Sequence, residues 1–266
     1  MRKPVSCLPF TTERADLLPP SWIQGGPGPE DQPPGFKRGS RPNRLNCSKA
    51  TDSAGGVTRF PMVTRNKDVV FWDVDTQFDF LLPGGRLYVP GADRILSNLR
   101  LLTSLAADQA VPVISSTCAH LPGDPELKTY GEHCMLGTPG QQKVPGTLLP
   151  HRFTVPNRPI LLPKLDPLQQ IILEKQAFDV FTNPNTDEVV HRLGEGLRVV
   201  LYGVTTDICV ARAANSLLDR GHQVDLVKEA TVALDLRRAR AVLRSFIDRG
   251  GRLVSINDIA THARAA

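Results

Sequence analysis

Residues 198–210 read RVVLYGVTTDICV. An apolar run of strand length, RVVLYGV (198–204), gives way within a few residues to a helical pattern over 207–220 that ends at Gly221. A buried strand handing over so quickly to a helix is the signature of an α/β unit. The alternation extends in both directions. Upstream, DVVFWDVD (68–75) is a short apolar run ending in acids, as a buried parallel strand reads. ADRILSNLRLLTSLAADQ (92–109) sets Ile95, Leu96, Leu99, Leu102 and Leu105 at helical spacing, and VPVISST (111–117) follows as a strand. The stretch 118–169 is punctuated by Pro and Gly and reads as inserted loops, before a strand at IILEK (171–175) and a helix over 186–194. Downstream come QVDLVKEA (223–230), a helix over 235–249 closed by Gly250-Gly251, and RLVSI (252–256). Strands alternating with helices predict a doubly wound, Rossmann-like α/β fold: a parallel sheet covered on both faces, in three α-β-α layers.

The chain has 266 residues, 41% apolar and 22% charged, which excludes disorder along its whole length. No stretch approaches the roughly 20 uninterrupted apolar residues of a membrane span, and the N-terminus lacks the continuous apolar core of a secretory signal. The net charge of +5 is uneven: residues 1–61 carry nine Lys/Arg against five Asp/Glu, whereas the remainder is nearly balanced. Residues 1–61 also hold ten of the 23 prolines and no apolar period, so they are expected to be a disordered, Pro/Gly-rich basic extension. Residues 62–266 are expected to form the folded domain, with Met62 a candidate start of translation. The body has no basic footprint for nucleic acid or membrane. Five cysteines at irregular spacing, with no CxxC pair, argue against a disulfide framework and for a reducing cytoplasm.

In open α/β sheets ligands bind beyond the carboxyl ends of the strands. Three such ends carry chemistry. After the 198–204 strand, Thr206 or Asp207 can cap the next helix, which puts Cys209 in its first turn. Free amides and the positive end of the helix favour a thiolate there and could hold an oxyanion. Taken alone, such a cysteine is more often a buried filler. At the end of the 68–75 strand, Asp73 and Asp75 share parity and point to one side while the strand stays regular. Asp75, further out, is the better candidate for a general base; the bland alternative is an acid that orders the following loop. Lys175, after Ile171-Ile172-Leu173, would be an ordinary solvated end residue elsewhere, but here it faces the same sheet mouth. Its charge would favour both a carboxylate and a thiolate. Asp75, Lys175 and Cys209 together can run acyl transfer, with Cys209 as nucleophile and Asp75 as proton carrier.

Asp75-Thr-Gln-Phe-Asp79-Phe80, Pro83-Gly84-Gly85, Val89-Pro90-Gly91-Ala92, His133-Cys134, Gly137-Thr138-Pro139-Gly140, Lys175 with Phe178, and Gly203-Val-Thr-Thr-Asp207-Ile-Cys209-Val occur in one order. The ordered set resembles the isochorismatase-like cysteine hydrolases, the superfamily that includes nicotinamidases, over roughly residues 68–260. The resemblance implies a catalytic triad of Asp75, Lys175 and Cys209. It also implies a cis Val204–Thr205 peptide that aims the Thr205 and Cys209 amides into an oxyanion hole, and a homo-oligomer. The implied substrate is a small-molecule amide such as nicotinamide, cleaved to the acid and ammonia through a thioester, with no organic cofactor. Phe80 and Tyr130 stand where the nicotinamide pocket has aromatic walls.

The nicotinamidase branch binds a metal through an Asp-x-His pair and further histidines. Here Cys118-Ala119-His120 and His133 occupy those places, and Asp124 or Glu126 could substitute for the missing histidine. Cys118, His120 and His133 would suit one divalent metal such as zinc; loop residues without a metal are the equal alternative. Other branches cleave ureido, carbamoyl or vinyl-ether compounds, and a non-catalytic, small-molecule-binding member is a further reading. A phosphatase of the haloacid dehalogenase type, suggested by Asp73-Val74-Asp75, requires Thr or Val where Gln77 stands.

Overall fold

The computed structural model describes residues 68–166 and 168–265. The expected basic extension over 1–61 and the candidate start at Met62 lie outside the described residues. Seven strands form one parallel sheet in the order β3-β4-β2-β1-β5-β6-β7. They are β1 (Val69–Val74), β2 (Val113–Cys118), β3 (Arg152–Val155), β4 (Gln170–Lys175), β5 (Arg198–Val204), β6 (Gln223–Val232) and β7 (Arg252–Val254). The helices are α1 (Phe78–Leu81), α2 (Leu96–Asp108), α3 (Leu127–Tyr130), α4 (Thr186–Leu193), α5 (Cys209–Asp219), α6 (Leu236–Asp248) and α7 (Ile256–Ala265).

Strand alternation divides the core in two. Val70, Trp72 and Val74 of β1 face one way and pack with Val189 and Val190 of α4, Val210 and Leu217 of α5 and Phe246 of α6. Phe71 faces the other way, into a cluster with Leu99 and Leu102 of α2 and Ile259 of α7. The central strands are apolar on both faces because helices cover both. The layers are therefore α-β-α, as the alternation predicts.

Four local readings are corrected. The 92–109 helix begins as a 3₁₀ turn (Ala92–Ile95) before α2 proper. The 118–169 stretch is not loop throughout, because it contributes the short edge strand β3, half exposed, paired with β4. Four residues without a clear period carry too weak a signal to read alone; the β4 edge supplies the missing backbone partners. Past β7 the chain also forms a C-terminal helix, α7, which buries Ile259 in the cluster that holds Leu99 and Leu102 of α2. Finally, neither Thr206 nor Asp207 caps α5. Ile208 holds the cap position without a side-chain bond. The Asp207 carboxylate instead accepts from the Leu234 and Asp235 amides and from Arg238.

The topology positions the site. The chain leaves β1 towards β2 on one side, and β5 lies on the other, so the strand order reverses between β1 and β5. That is where a doubly wound sheet opens a crevice. Gly203 lets β1 and β5 close up there: its φ is +118°, and a Cβ would stand 2.1 Å from the Val74 carbonyl oxygen. The next peptide, Val204–Thr205, is cis.

Candidate active site

Asp75 is the first residue past β1. Its φ of 52° turns it out of strand geometry, and this breaks the parity expected of Asp73 and Asp75. Asp73, still in the strand, is wholly buried and binds Lys143 Nζ at 2.7 and 2.9 Å. Lys143 also donates to Thr76 Oγ1 at 2.5 Å. Asp73 thus belongs to a structural ion pair and not to the crevice. Burial raises its pKa against the opposing pull of Lys143, and burial lowers that of Lys143 against the pull of Asp73. Lys143 could not be found from sequence, since it lies 70 positions from its partner in a Pro/Gly-rich stretch.

Asp75 faces Lys175. The Lys175 ammonium, at the end of β4, lies 3.0 Å from Asp75 Oδ2, 3.0 Å from Cys118 Sγ and 3.6 Å from Cys209 Sγ. The three residues read from separate strand ends are therefore brought together, along with a fourth, Cys118. The register accounts for it: Cys118 is the direct neighbour of Lys175 across the β2–β4 pair. Burial works against the Lys175 charge, but Asp75, Cys118 and Cys209 hold its pKa well above the ordinary lysine value. Burial pushes the Cys209 thiol up; Lys175 pulls it down, and Asp75 and Cys118 add to the rise. Burial thus opposes the thiolate expected at the start of α5, and a base beside the sulfur would assist its ionisation. Asp75 Oδ1 is buried without a hydrogen-bond partner among the described residues, and Asp75 lines the same crevice as Cys209.

Beside this cluster stand Cys118, His120, Glu126 and His133, with one ligand atom from each inside a 4.8 Å group. His133 Nδ1 lies 2.9 Å from the Gly131 carbonyl, and His120 Nδ1 lies 3.1 Å from Asp124 Oδ2. Both Nε2 atoms point inward, near Glu126 Oε1 at 3.8 and 3.5 Å. His120 Nε2, His133 Nε2 and Glu126 Oε2 are buried without hydrogen-bond partners among the described residues. Burial lowers the His120 pKa, which keeps its lone pair available. Orphaned nitrogen and oxygen atoms converging with a sulfur are the donor set of a metal site, and the histidine Nδ1 contacts supply the outer support such sites use. The group could hold a metal ion. Glu126 stands at its centre, whereas Asp124 is an outer partner of His120.

Gln77 was not singled out from sequence as a site residue. Its amide nitrogen donates to the Cys118 and Gln141 carbonyls, both at 2.7 Å, and its Oε1 accepts from the Cys118 amide at 2.8 Å. It therefore clamps the backbone that carries Cys118. The signal was present in the Asp75-Thr-Gln77 motif, but an amide that acts through backbone partners has no sequence pattern of its own. Phe80 meets the edge of the His133 ring (5.4 Å between centroids), and Tyr130 meets Phe178 edge to face at 6.0 Å. Phe80, Tyr130 and Phe178 line the crevice with Asp75, Thr205 and Cys209.

A family model described as "Isochorismatase domain" matches residues 70–258. No curated protein sequence matches the chain significantly. Solved structures do. N-carbamoylsarcosine amidase from Thermoplasma acidophilum is 24% identical with a TM-score of 0.58, covering 71% of this chain and 96% of its own. Pyrazinamidase of Pyrococcus horikoshii, solved in complex with zinc, is 22% identical with a TM-score of 0.58 and coverages of 71% and 99%. Nicotinamidase from Bacillus subtilis is 18% identical, also at 0.58, with coverages of 71% and 99%. These likenesses establish a shared fold.

Proposed function

The chain belongs to the isochorismatase-domain family of hydrolases, and from that premise we propose that it is a cysteine hydrolase of small-molecule C–N bonds, acting on nicotinamide or a related flat amide. The observation that carries the reading is the contact of one ammonium with a carboxylate and a thiol: Lys175 Nζ lies 3.0 Å from Asp75 and 3.6 Å from Cys209.

The chemistry follows from those contacts. Asp75 Oδ1 accepts the Cys209 proton as sulfur attacks the carbonyl carbon. Lys175 stays charged and holds the other carboxylate oxygen, which fixes Asp75 while it shuttles the proton. The oxyanion is held by the Thr205 and Cys209 amides. Asp75 returns the proton to the departing nitrogen, so the C–N bond breaks, ammonia leaves and a thioester remains. Water then gives a proton to Asp75 and adds to the thioester. The acid forms, sulfur departs and Cys209 recovers its proton. Amide and water become acid and ammonia. Phe80 and Tyr130 are aromatic walls against which a flat ring stacks. Cys118, His120, Glu126 and His133 would hold a divalent metal such as zinc, which when bound supplies a Lewis-acid contact for a substrate donor atom.

Three buried cysteines, Cys118, Cys134 and Cys209, are free thiols. This supports a reducing, cytoplasmic setting. Among the described residues no helix is long and apolar enough to cross a membrane. The test is ammonia release from a panel of amides, run with elemental analysis of the purified protein. Turnover by the wild type that vanishes in Cys209→Ala, with the melting curve kept, supports the reading. A panel without ammonia, or turnover that survives the substitution, refutes it.

A further inference from the structure

One hydroxyl at the crevice is bound to nothing in the fold, and its role there rests on the hydrolase reading. Thr205 is 4% exposed and lines the crevice with Asp75 and Cys209. Its Oγ1 is buried without a hydrogen-bond partner among the described residues. The next residue shows the ordinary fate of such a group: Thr206 Oγ1 meets Thr231 Oγ1 at 2.7 Å. An unmatched buried hydroxyl costs free energy that a valine of nearly the same shape avoids. A partner that arrives with the substrate accounts for its presence.

The donors and acceptors of a primary amide select the atom it meets. The carbonyl oxygen has two lone pairs, and in the proposed mechanism the Thr205 and Cys209 amides fill both. The nitrogen carries two hydrogens and requires acceptors. Asp75 Oδ1 does not serve throughout, since it takes the thiol proton and then faces the nitrogen as a donor. Glu126 belongs to the candidate metal group. The Tyr130 hydroxyl already accepts from Arg238. The Thr205 carbonyl accepts the Ile208 and Val210 amides, both at 3.1 Å. The side chains of Phe80, Leu87, Phe178 and Leu234 are apolar. Thr205 Oγ1 is the side-chain acceptor that remains on the crevice.

We infer that the Thr205 hydroxyl holds the scissile nitrogen, accepting one of its hydrogens so that the nitrogen lone pair turns towards the proton on Asp75. No covalent step is added. As sulfur attacks, the nitrogen leaves the amide plane, and a hydrogen bond on one N–H fixes the direction its lone pair takes. That bond strengthens as the nitrogen gains the proton and positive charge, so it contributes more in the transition state than in the ground state. The crevice is thereby built for amides whose nitrogen is unsubstituted.

Thr205→Val, which replaces the hydroxyl by a methyl, and Thr205→Ser, which keeps it, test this in the full-length protein. The probes are the amide of the panel that the wild type turns over fastest and the matching aldehyde; for nicotinamide this is pyridine-3-carbaldehyde. With the amide, Thr205→Val is expected to lower kcat about tenfold or more and to change KM much less, while Thr205→Ser stays within about threefold of the wild type. The melting temperature of Thr205→Val should hold or rise, because an unmatched buried hydroxyl is gone. The aldehyde presents the same ring and carbonyl to Cys209 without a nitrogen on the reacting carbon. Sulfur adds to that carbon and the thiol proton passes to the oxygen, giving a thiohemiacetal. Its calorimetric affinity should agree within about threefold between the wild type and Thr205→Val, since no contact to it is lost. An equal loss for amide and aldehyde, an undiminished kcat in Thr205→Val, a Thr205→Ser rate as low as that of Thr205→Val, or a lowered melting temperature in Thr205→Val would each overturn the assignment. The two readings fail separately. A wild type that releases no ammonia from any amide removes the hydrolase reading and this contact with it. Turnover indifferent to Thr205→Val removes the contact and leaves the hydrolase.

Discussion

At the scale of single residues, the site turns on groups that are costly to bury and therefore specific in their partners. Burial raises the Cys209 thiol pKa, so a neighbouring base such as Asp75 bears on its reactivity. Cys209→Ala is expected to lower turnover by about 10⁴-fold or more while leaving the fold intact, since a small apolar side chain replaces a buried cysteine of similar size. Asp75→Asn should cost about 10²–10⁴-fold by removing the proton acceptor. Steady-state ammonia release with parallel thermal melts checks both. The Asp73–Lys143 pair makes a contrasting prediction. Lys143→Met leaves a buried carboxylate alone and is expected to cost about 3–5 kcal/mol in urea unfolding, and Asp73→Asn in the same chain should recover much of that loss. Sequence parity could not separate the two acids. The distinction arises at one backbone angle, the left-handed φ of Asp75.

At the scale of elements, β1 and β5 meet where the crevice opens, and Gly203 sets how closely they approach. An added Cβ would both clash with Val74 and occupy a left-handed backbone angle. Gly203→Ala is therefore expected to destabilise the fold by about 3 kcal/mol or more, read as a drop in the urea midpoint. The turn from α5 to β6 carries a pH dependence. His222 is buried, and its Nδ1 accepts the Leu197 amide proton at 3.1 Å, which requires a neutral ring. Burial, then the charge of Arg220, lowers its pKa below the usual 6.5. The unfolded chain binds the proton more readily, so this contribution is present above about pH 6.5 and is lost as pH falls below it. Urea midpoints should fall between pH 7.5 and 5.5, and His222→Asn should flatten that change. The strong elements were legible because β1, β2, β5 and α2 repeat their apolar period over enough residues. The edge strand β3 was not, since its pairing with β4 decides it.

At the scale of the whole molecule, the candidate metal group draws its members from the end of β2 and from the loop on either side of α3. A cation that binds only this folded arrangement stabilises it by mass action, by about 2.7 kcal/mol at a free concentration 100 times its Kd. Zinc added to chelator-treated protein is expected to raise the melting temperature in proportion to the logarithm of its concentration. Glu126→Gln should weaken that response, because it removes the charge at the centre of the group. A melting temperature indifferent to zinc would speak against the group as a cation site.

The sequence by itself determined the alternation of strands and helices, the parallel sheet and the three strand ends that carry Asp75, Lys175 and Cys209, because periodicity and strand-end chemistry are local properties of the chain. Only the tertiary structure decided which polar groups meet. Lys143 finds Asp73, Gln77 holds the backbone of Cys118, Asp207 leaves its helix for Arg238, and Glu126 joins the two histidines. The first three join residues 31 to 70 positions apart, and for the fourth the structure chose Glu126 over Asp124, the two acids the sequence offered. A buried polar group must be satisfied by whatever the fold sets beside it, and no spacing along the chain encodes that neighbour.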